Sequence, residues 1–268
     1  MDYHISELNI YPIKSTAQLR LAEARVERRG LQWDRRWMVV DAEGQFVTAR
    51  QHPRLTLIHA TIADGSLDIE APAMPMLSLP LDPGPGPRLS VQVWKDLCEV
   101  PAVSAAADRW FCEYLGFPCR LVYMDEAYRR PVKPQFSQPG DTVSFADGFP
   151  LLLLSEASLH DLNQRLRTPV SMRRFRPNLV VRGGSPFMED GWHRIRVGAL
   201  EFDVVKACSR CVFTTVDPDT AEKDPDMQPL RTLGSYRRGR EGGVFFGQNL
   251  IPRTTGLVRL GDPIEVLR

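Results

Sequence analysis

The sequence predicts an α+β, mostly β protein of β-barrel-like construction. Three observations lead there. Short alternating or apolar segments recur along the chain, bounded by Gly, Pro, Asn or Asp. Only about two segments carry a clear 3.6-residue hydrophobic period. No repeat of fixed period marks a solenoid or propeller. The 268 residues suffice for one large domain or two smaller ones.

The elements follow in order. Ile5–Ile10 alternates, and Trp37–Val40 is a short apolar run ending at the turn Asp41-Ala42-Glu43-Gly44. Leu55–Ile62, LTLIHATI, suits a half-buried strand. Residues 71–89 are dense in Pro and Gly and predict a surface loop, after which Leu89–Trp94 resumes the strand pattern. In Ser104–Leu115, Ala107, Trp110, Phe111, Tyr114 and Leu115 share one helical face. Ser104 suits the start of that helix and Gly116 its end. Cys119–Met124 reads as a strand. The polar, Pro-bearing segment 125–142 predicts a boundary between regions 1–124 and 125–268.

Beyond it, Leu151–Leu154 predicts a buried strand, followed by a helix capped by Ser155 with Leu159, Leu162 and Leu166 on one face. Asn178–Arg182 is a further strand. Arg194–Val197, a turn at Gly198, and Leu200–Lys206 predict a hairpin, and Gly256–Arg268 predicts another around Gly261-Asp262.

Composition is that of a soluble globular chain, with 43% hydrophobic and 25% charged residues. A net charge of +1 gives no whole-molecule attraction for nucleic acid or a membrane surface, so any anion site must be local. There is no signal-peptide pattern and no apolar run long enough to span a bilayer, so a cytoplasmic protein is expected. The five cysteines, Cys98, Cys112, Cys119, Cys208 and Cys211, are odd in number and sparse, which fits a reducing compartment.

Two groups of residues carry chemistry. Cys208-Ser209-Arg210-Cys211 is placed just after a strand, where such a pair can bind zinc, cycle as a dithiol, hold a softer metal by one thiolate, or simply be buried. Structural zinc wants two further ligands, and the chain has neither a second C-x-x-C nor a nearby His pair. A thioredoxin-like dithiol wants a helix N-terminus, whereas Val212–Val216 reads as a strand. Arg210 between the cysteines favours a neighbouring thiolate. The second group is cationic: Lys14-Ser15, Arg35-Arg36, and Arg173, Arg174 and Arg176 all sit at strand edges. Such positions can be solvated charge or a phosphate-binding set. No Walker A or G-x-G-x-x-G loop is present. Thr215-Val216-Asp217-Pro218-Asp219 reads first as an Asp-Pro turn. The five histidines are dispersed, and no Ser/His/Asp spacing points to a triad.

Several of these residues recur in an ordered pattern. It runs through Tyr11-Pro12-Ile13-Lys14-Ser15, Gly30-Leu31, Asp34-Arg35, Trp37, Val47-Thr48-Ala49-Arg50-Gln51, Phe145-Ala146-Asp147 and Leu154-Ser155-Glu156-Ala157-Ser158. It continues through Arg174-Phe175-Arg176-Pro177-Asn178, Cys208-Ser209-Arg210-Cys211, Thr214–Asp219 and Phe246-Gly247-Gln248-Asn249. In this the chain resembles MOSC-domain proteins with an N-terminal MOSC β-barrel region, the family of YcbX-type proteins and the mitochondrial amidoxime-reducing component. The resemblance implies an N-terminal MOSC β-barrel region over 1–124 and a MOSC domain over 125–268.

It also implies a molybdenum cofactor of the molybdopterin type, with Cys211 as the thiolate ligand. By the same likeness Lys14, Ser15, Arg35 and Arg176 would hold its phosphate or pterin, and Asp147, Asn178, Ser209 and Arg210 would line the pterin side. Asn249, where some relatives carry Tyr, is a further expected contact. The implied activity is reduction of N-hydroxylated compounds such as hydroxylaminopurines or amidoximes. YcbX-type relatives often carry a C-terminal iron–sulfur domain, but no C-x₄-C-x₂-C spacing occurs here. No iron–sulfur cluster is expected in the chain, and electrons are expected from a separate ferredoxin- or flavoprotein-type partner. The alternatives are a non-catalytic carrier of molybdenum cofactor or sulfur, and a structural zinc protein.

Overall fold

A computed structural model describes residues 2–84, 86–240 and 242–267. Pro85 of the expected loop and Arg268 of the expected tail strand lie outside the described residues.

Seven strands close into a barrel. In spatial order they are Leu179–Arg182, Leu151–Ser155, Val244–Pro252, Leu200–Arg210, Arg194–Val197, Pro263–Val266 and Tyr3–Ile10. The last pairs back onto the first, Leu8 opposite Leu179, and so closes the ring. Closure leaves no open edge along these strands. Leu151–Ser155 and Leu179–Arg182 run parallel, which requires a crossover. Helix α2, Glu156–Gln164, supplies its helical part, with Ser155 Oγ accepting from the Ser158 N–H at 3.1 Å.

Leu151–Ser155 is apolar at successive positions because both its faces are covered. Leu151 and Leu153 point into the barrel core with Ile5, Leu8, Phe202 and Leu250. Leu154 points outward and packs with Leu162 and Phe175, and with Leu233 of a short helix, Leu230–Tyr236, which is too short to show a clear period.

Residues 37–124 build a second body. Trp37–Asp41 pairs antiparallel with Cys119–Tyr123, Trp37 opposite Tyr123. Trp37 and Val39 join Leu55, Phe111, Tyr114 and Leu121 in one core. Met38 and Val40 face Val91, Val93 and Val100 on the other side. Helix α1, Ala105–Leu115, starts where expected, the Ser104 Oγ accepting from the Ala107 N–H at 3.1 Å. It stops at Gly116, whose φ of +80° an L side chain rarely adopts.

Other expectations need correction. Pro53–Leu57 forms a 3₁₀ turn and the strand begins at His59, because Pro53 opens a helical turn that the alternation of Leu55 and Leu57 concealed. The Pro/Gly-rich stretch contains a strand, Leu77–Pro80, at the edge of a three-stranded sheet where Pro is tolerated. Val212–Thr215 is a single 3₁₀ turn rather than a strand, and the strand before it extends through Arg210. Gly256–Arg259 and Pro263–Val266 do not form a hairpin with each other: the first pairs with Glu23–Glu27 and the second with Arg194–Val197 and Tyr3–Ile10. The first region therefore shares sheets with the second. Among the described residues no helix is long and apolar enough to cross a membrane.

Candidate active site

The strand Leu200–Arg210 carries the C-x-x-C motif out of the barrel. Its ladder with Val244–Pro252 slips between Ala207/Gln248 and Ser209/Phe245. The extra residue lies at Phe246-Gly247, and Gly247 has φ +80°. A Cβ there would stand 2.7 Å from the Leu153 carbonyl oxygen and 3.3 Å from Arg210 Nη2. Such a slip re-aims side chains. Here Cys208 and Arg210 are half-buried, and Ser209 and Cys211 are exposed.

All ten residues expected at the site line one cleft. At one part of it, Lys14 follows a bridge between Ile13 and Trp37. Its Nζ donates to the Phe145 carbonyl at 2.8 Å and to Asp147 Oδ1 at 2.5 Å. Burial lowers the Lys14 pKa to about 8 despite the attraction of Asp147. For Asp147, whose side chain is largely exposed, partial desolvation at the cleft wall pushes the carboxyl up, but the Lys14 ammonium together with Arg50 and the Trp94 N–H outweighs it and holds the group well below the usual carboxylate range. Ser15, Arg35 and Arg176 all have positive φ, at 72°, 49° and 58°. Positive φ at three non-glycine residues in one cleft is backbone strain gathered at a site.

Arg35 and Arg176 both lie against the Tyr11 ring, 4.2 and 4.0 Å from its centroid. Arg35 donates to buried Asp34 at 2.6 Å and to Asn178 Oδ1 at 3.1 Å. Arg176 donates to the Thr16 carbonyl at 2.5 Å. Burial, then the charge of Arg35, lowers Arg176 to about 10, so it stays cationic at neutral pH. Asn178 is committed to the protein: its Oδ1 also accepts from the Leu152 N–H, and its Nδ2 donates to the Asn9 carbonyl. It thus fixes Arg35 more than it presents a free amide. Asn249 Nδ2 donates to the Lys206 carbonyl at 3.1 Å.

Arg210 donates through Nε to the Phe246 carbonyl and through Nη1 to the Phe175 carbonyl, while its buried Nη2 has no partner among the described residues. A buried guanidinium nitrogen without a protein acceptor is free to donate to a ligand or a water. Arg50, Arg176 and Arg210 form no ion pair with a carboxylate among the described residues. The cleft therefore suits an anion.

The two motif cysteines differ. Burial pushes the Cys208 thiol up, and Arg210 offsets this only in part, so Cys208 stays protonated at neutral pH. Cys211 is exposed in the cleft, with Arg50 Nη1 3.9 Å from its sulfur. No cluster of three or more His, Cys, Asp or Glu side chains able to hold a metal occurs among the described residues.

The expected set omitted Arg50, Trp94, Arg174 and Phe213. Arg50 lies in the Val47–Gln51 motif, which was the available signal. Trp94 donates Nε1–H to Asp147 Oδ1 at 3.2 Å. Arg174 bonds the Thr215 carbonyl and Asp217, and Arg173 bonds Asp219, so the carboxylates of the Asp-Pro turn do hold neighbouring donors.

The family model of the MOSC N-terminal β-barrel domain matches residues 3–118, and that of the MOSC domain matches residues 140–265. The chain belongs to the MOSC family. This MOSC chain is 39% identical to mitochondrial amidoxime-reducing component 1 of Mus musculus, over 98% of its own length and 82% of that protein. It is 36% identical to the component 1 protein of Homo sapiens over the same shares, and 36% identical to mitochondrial amidoxime reducing component 2 of Rattus norvegicus over 97% and 82%.

Proposed function

We propose that the chain reduces N-hydroxylated compounds by means of a molybdenum–molybdopterin cofactor held on Cys211. One observation carries the reading: an exposed thiol and three arginines without carboxylate partners line a single cleft. The names of the relatives, amidoxime-reducing components, support the substrate class.

The residues fit the group on their own chemistry. A soft thiolate suits molybdenum. Lys14, Ser15, Arg35 and Arg176 would hold the phosphate end, where Arg forks match phosphate geometry. Arg210, with its unpartnered Nη2, and Asp147, Ser209 and Asn249 would face the pterin, with Asn178 behind them fixing Arg35. When bound, the cofactor supplies the two-electron chemistry that breaks the N–O bond. In balance, one N–OH group takes up two electrons and two protons to give N–H and water. The protein's part is to orient the substrate and fix the charges around it. A separate ferredoxin- or flavoprotein-type donor would deliver the electrons.

Metal and pterin analysis of purified protein, with amidoxime reduction by chemically reduced protein, tests the reading. Molybdenum with pterin and turnover is expected. Zinc without molybdenum would overturn it, and molybdenum-loaded protein without turnover would leave a cofactor carrier.

A further inference from the structure

Arg50 stands out among the cations of the cleft because none of the expected contacts used it. Its guanidinium carbon lies 4.4 Å from the centroid of the Trp94 ring and 5.9 Å from that of Phe46. Trp94 is itself held. It has φ +58°, its ring is 5.2 Å from Phe46, and its Nε1–H is bonded to Asp147. Asp147 accepts at the same oxygen from Lys14. Arg50 is thus seated on an aromatic platform tied to the cleft wall. A stacked guanidinium is pre-organised, so little rotamer freedom is lost when it donates.

Its donors are nearly unused. Nε has a long contact of 3.4 Å to Thr48 Oγ1, and Nη1 lies 3.9 Å from Cys211 Sγ. A guanidinium carries five N–H donors. Nη1 lies beside the thiol in the cleft that Arg50 lines, and no carboxylate stands within ion-pair distance of the guanidinium among the described residues, Asp147 acting on its charge only from farther off. Lys14, Arg35 and Arg176 form a separate set, tied to Phe145, Asp147, Asp34 and the Thr16 carbonyl.

We propose that Arg50, seated on Trp94, is the substrate-orienting donor beside Cys211, and that it binds the oxygen of an N-hydroxyl group. This rests on the reductase reading above and names the residue that recognises its substrate. As the N–O bond breaks, negative charge gathers on that oxygen, and a fixed donor there stabilises it more than it does the bound substrate. The electrons come from the reductant and the protons from water. Trp94 and Asp147 act through Arg50 as positioning residues.

The test uses molybdenum-loaded protein with benzamidoxime as the probe. Binding to oxidised protein is measured by calorimetry and turnover with dithionite as reductant. Arg50→Ala is expected to keep its molybdenum and pterin, to bind the probe at least ~10-fold more weakly, and to lose roughly 100-fold in kcat/KM, the scale of deleting one transition-state donor. Added guanidinium ion should restore part of both. Trp94→Phe should retain most of the affinity and Trp94→Ala should lose it. No binding by the wild type, unchanged binding in Arg50→Ala, or loss of molybdenum in that variant would each overturn the proposal. Should Arg50→Ala fail to fold, Arg50→Lys decides, since a point charge off the ring that binds at full strength also overturns it. Binding without turnover in the wild type would sink the reductase reading and leave the recognition by Arg50 standing.

Discussion

Lys14 is charged only below about pH 8, because burial disfavours its ammonium more than Asp147 favours it. In the unfolded chain its pKa returns to the ordinary 10.5. The folded state therefore bears the cost of a buried ammonium at every pH below about 8, and that cost is relieved as pH rises from about 8 towards 10.5. The same titration removes a cation from the cleft. Inorganic phosphate is expected to bind more weakly as pH rises through about 8, and Lys14→Met should flatten that limb of the binding curve. At the thiols, Cys211→Ala is expected to lose molybdenum while Cys208→Ala largely keeps it, read by metal content per chain; equal retention would remove Cys211 from its role. Asn178 serves three partners from a buried position, so Asn178→Ala should cost about 3 kcal/mol, measured by denaturant unfolding. At this scale ten marked residues line one cleft: Lys14, Ser15, Arg35, Arg176 and the motif Ser209-Arg210-Cys211 stood out by charge and spacing, whereas Asp147, Asn178 and Asn249 were marked only through the family pattern. Arg50 carries no local signature of a role, because stacking on Trp94 joins positions far apart in the chain.

Among the elements, the slipped ladder at Gly247 determines where the motif cysteines face. Gly247→Ala would force a Cβ against the Leu153 carbonyl at a φ of +80°. It should destabilise the protein by at least ~2 kcal/mol and reduce cofactor retention together with stability. A thermal-unfolding midpoint unchanged from wild type would show that the slip relaxes elsewhere. The helices were legible from period and caps: Ser104 and Ser155 occupy the N-cap positions expected of them. Short apolar runs were less legible. Leu55–Ile62 satisfies alternation, yet its first half turns as a 3₁₀ helix, and Val212–Val216 is β-branched but bends where Cys211 leaves the strand. A run of about five residues fits either state, and tertiary contacts decide.

For the molecule as a whole, mostly-β character with few helices was readable from composition and period. Closure was not, since it depends on pairing across the full length of the chain. Tyr3–Ile10 pairs with Leu179–Arg182 on one side and with Pro263–Val266 on the other, and Gly256–Arg259 pairs with Glu23–Glu27. A fragment of residues 125–268 alone should therefore show no cooperative unfolding, because its barrel would lack a strand and expose two edges. Addition of residues 1–124 in trans should restore a cooperative transition, followed by circular dichroism.

That pairing also sets an order of events during biosynthesis. Tyr3 cannot meet Ile264 until almost every residue in between has left the ribosome. At roughly 5–20 residues per second, Tyr3 and His4 wait on the order of 10–50 s for Pro263 and Ile264, although Leu8–Ile10 can pair with Leu19–Leu21 almost at once. Contacts of such long sequence separation also make the search slow once synthesis is over. Closure of the barrel therefore comes only after most of the chain has been made.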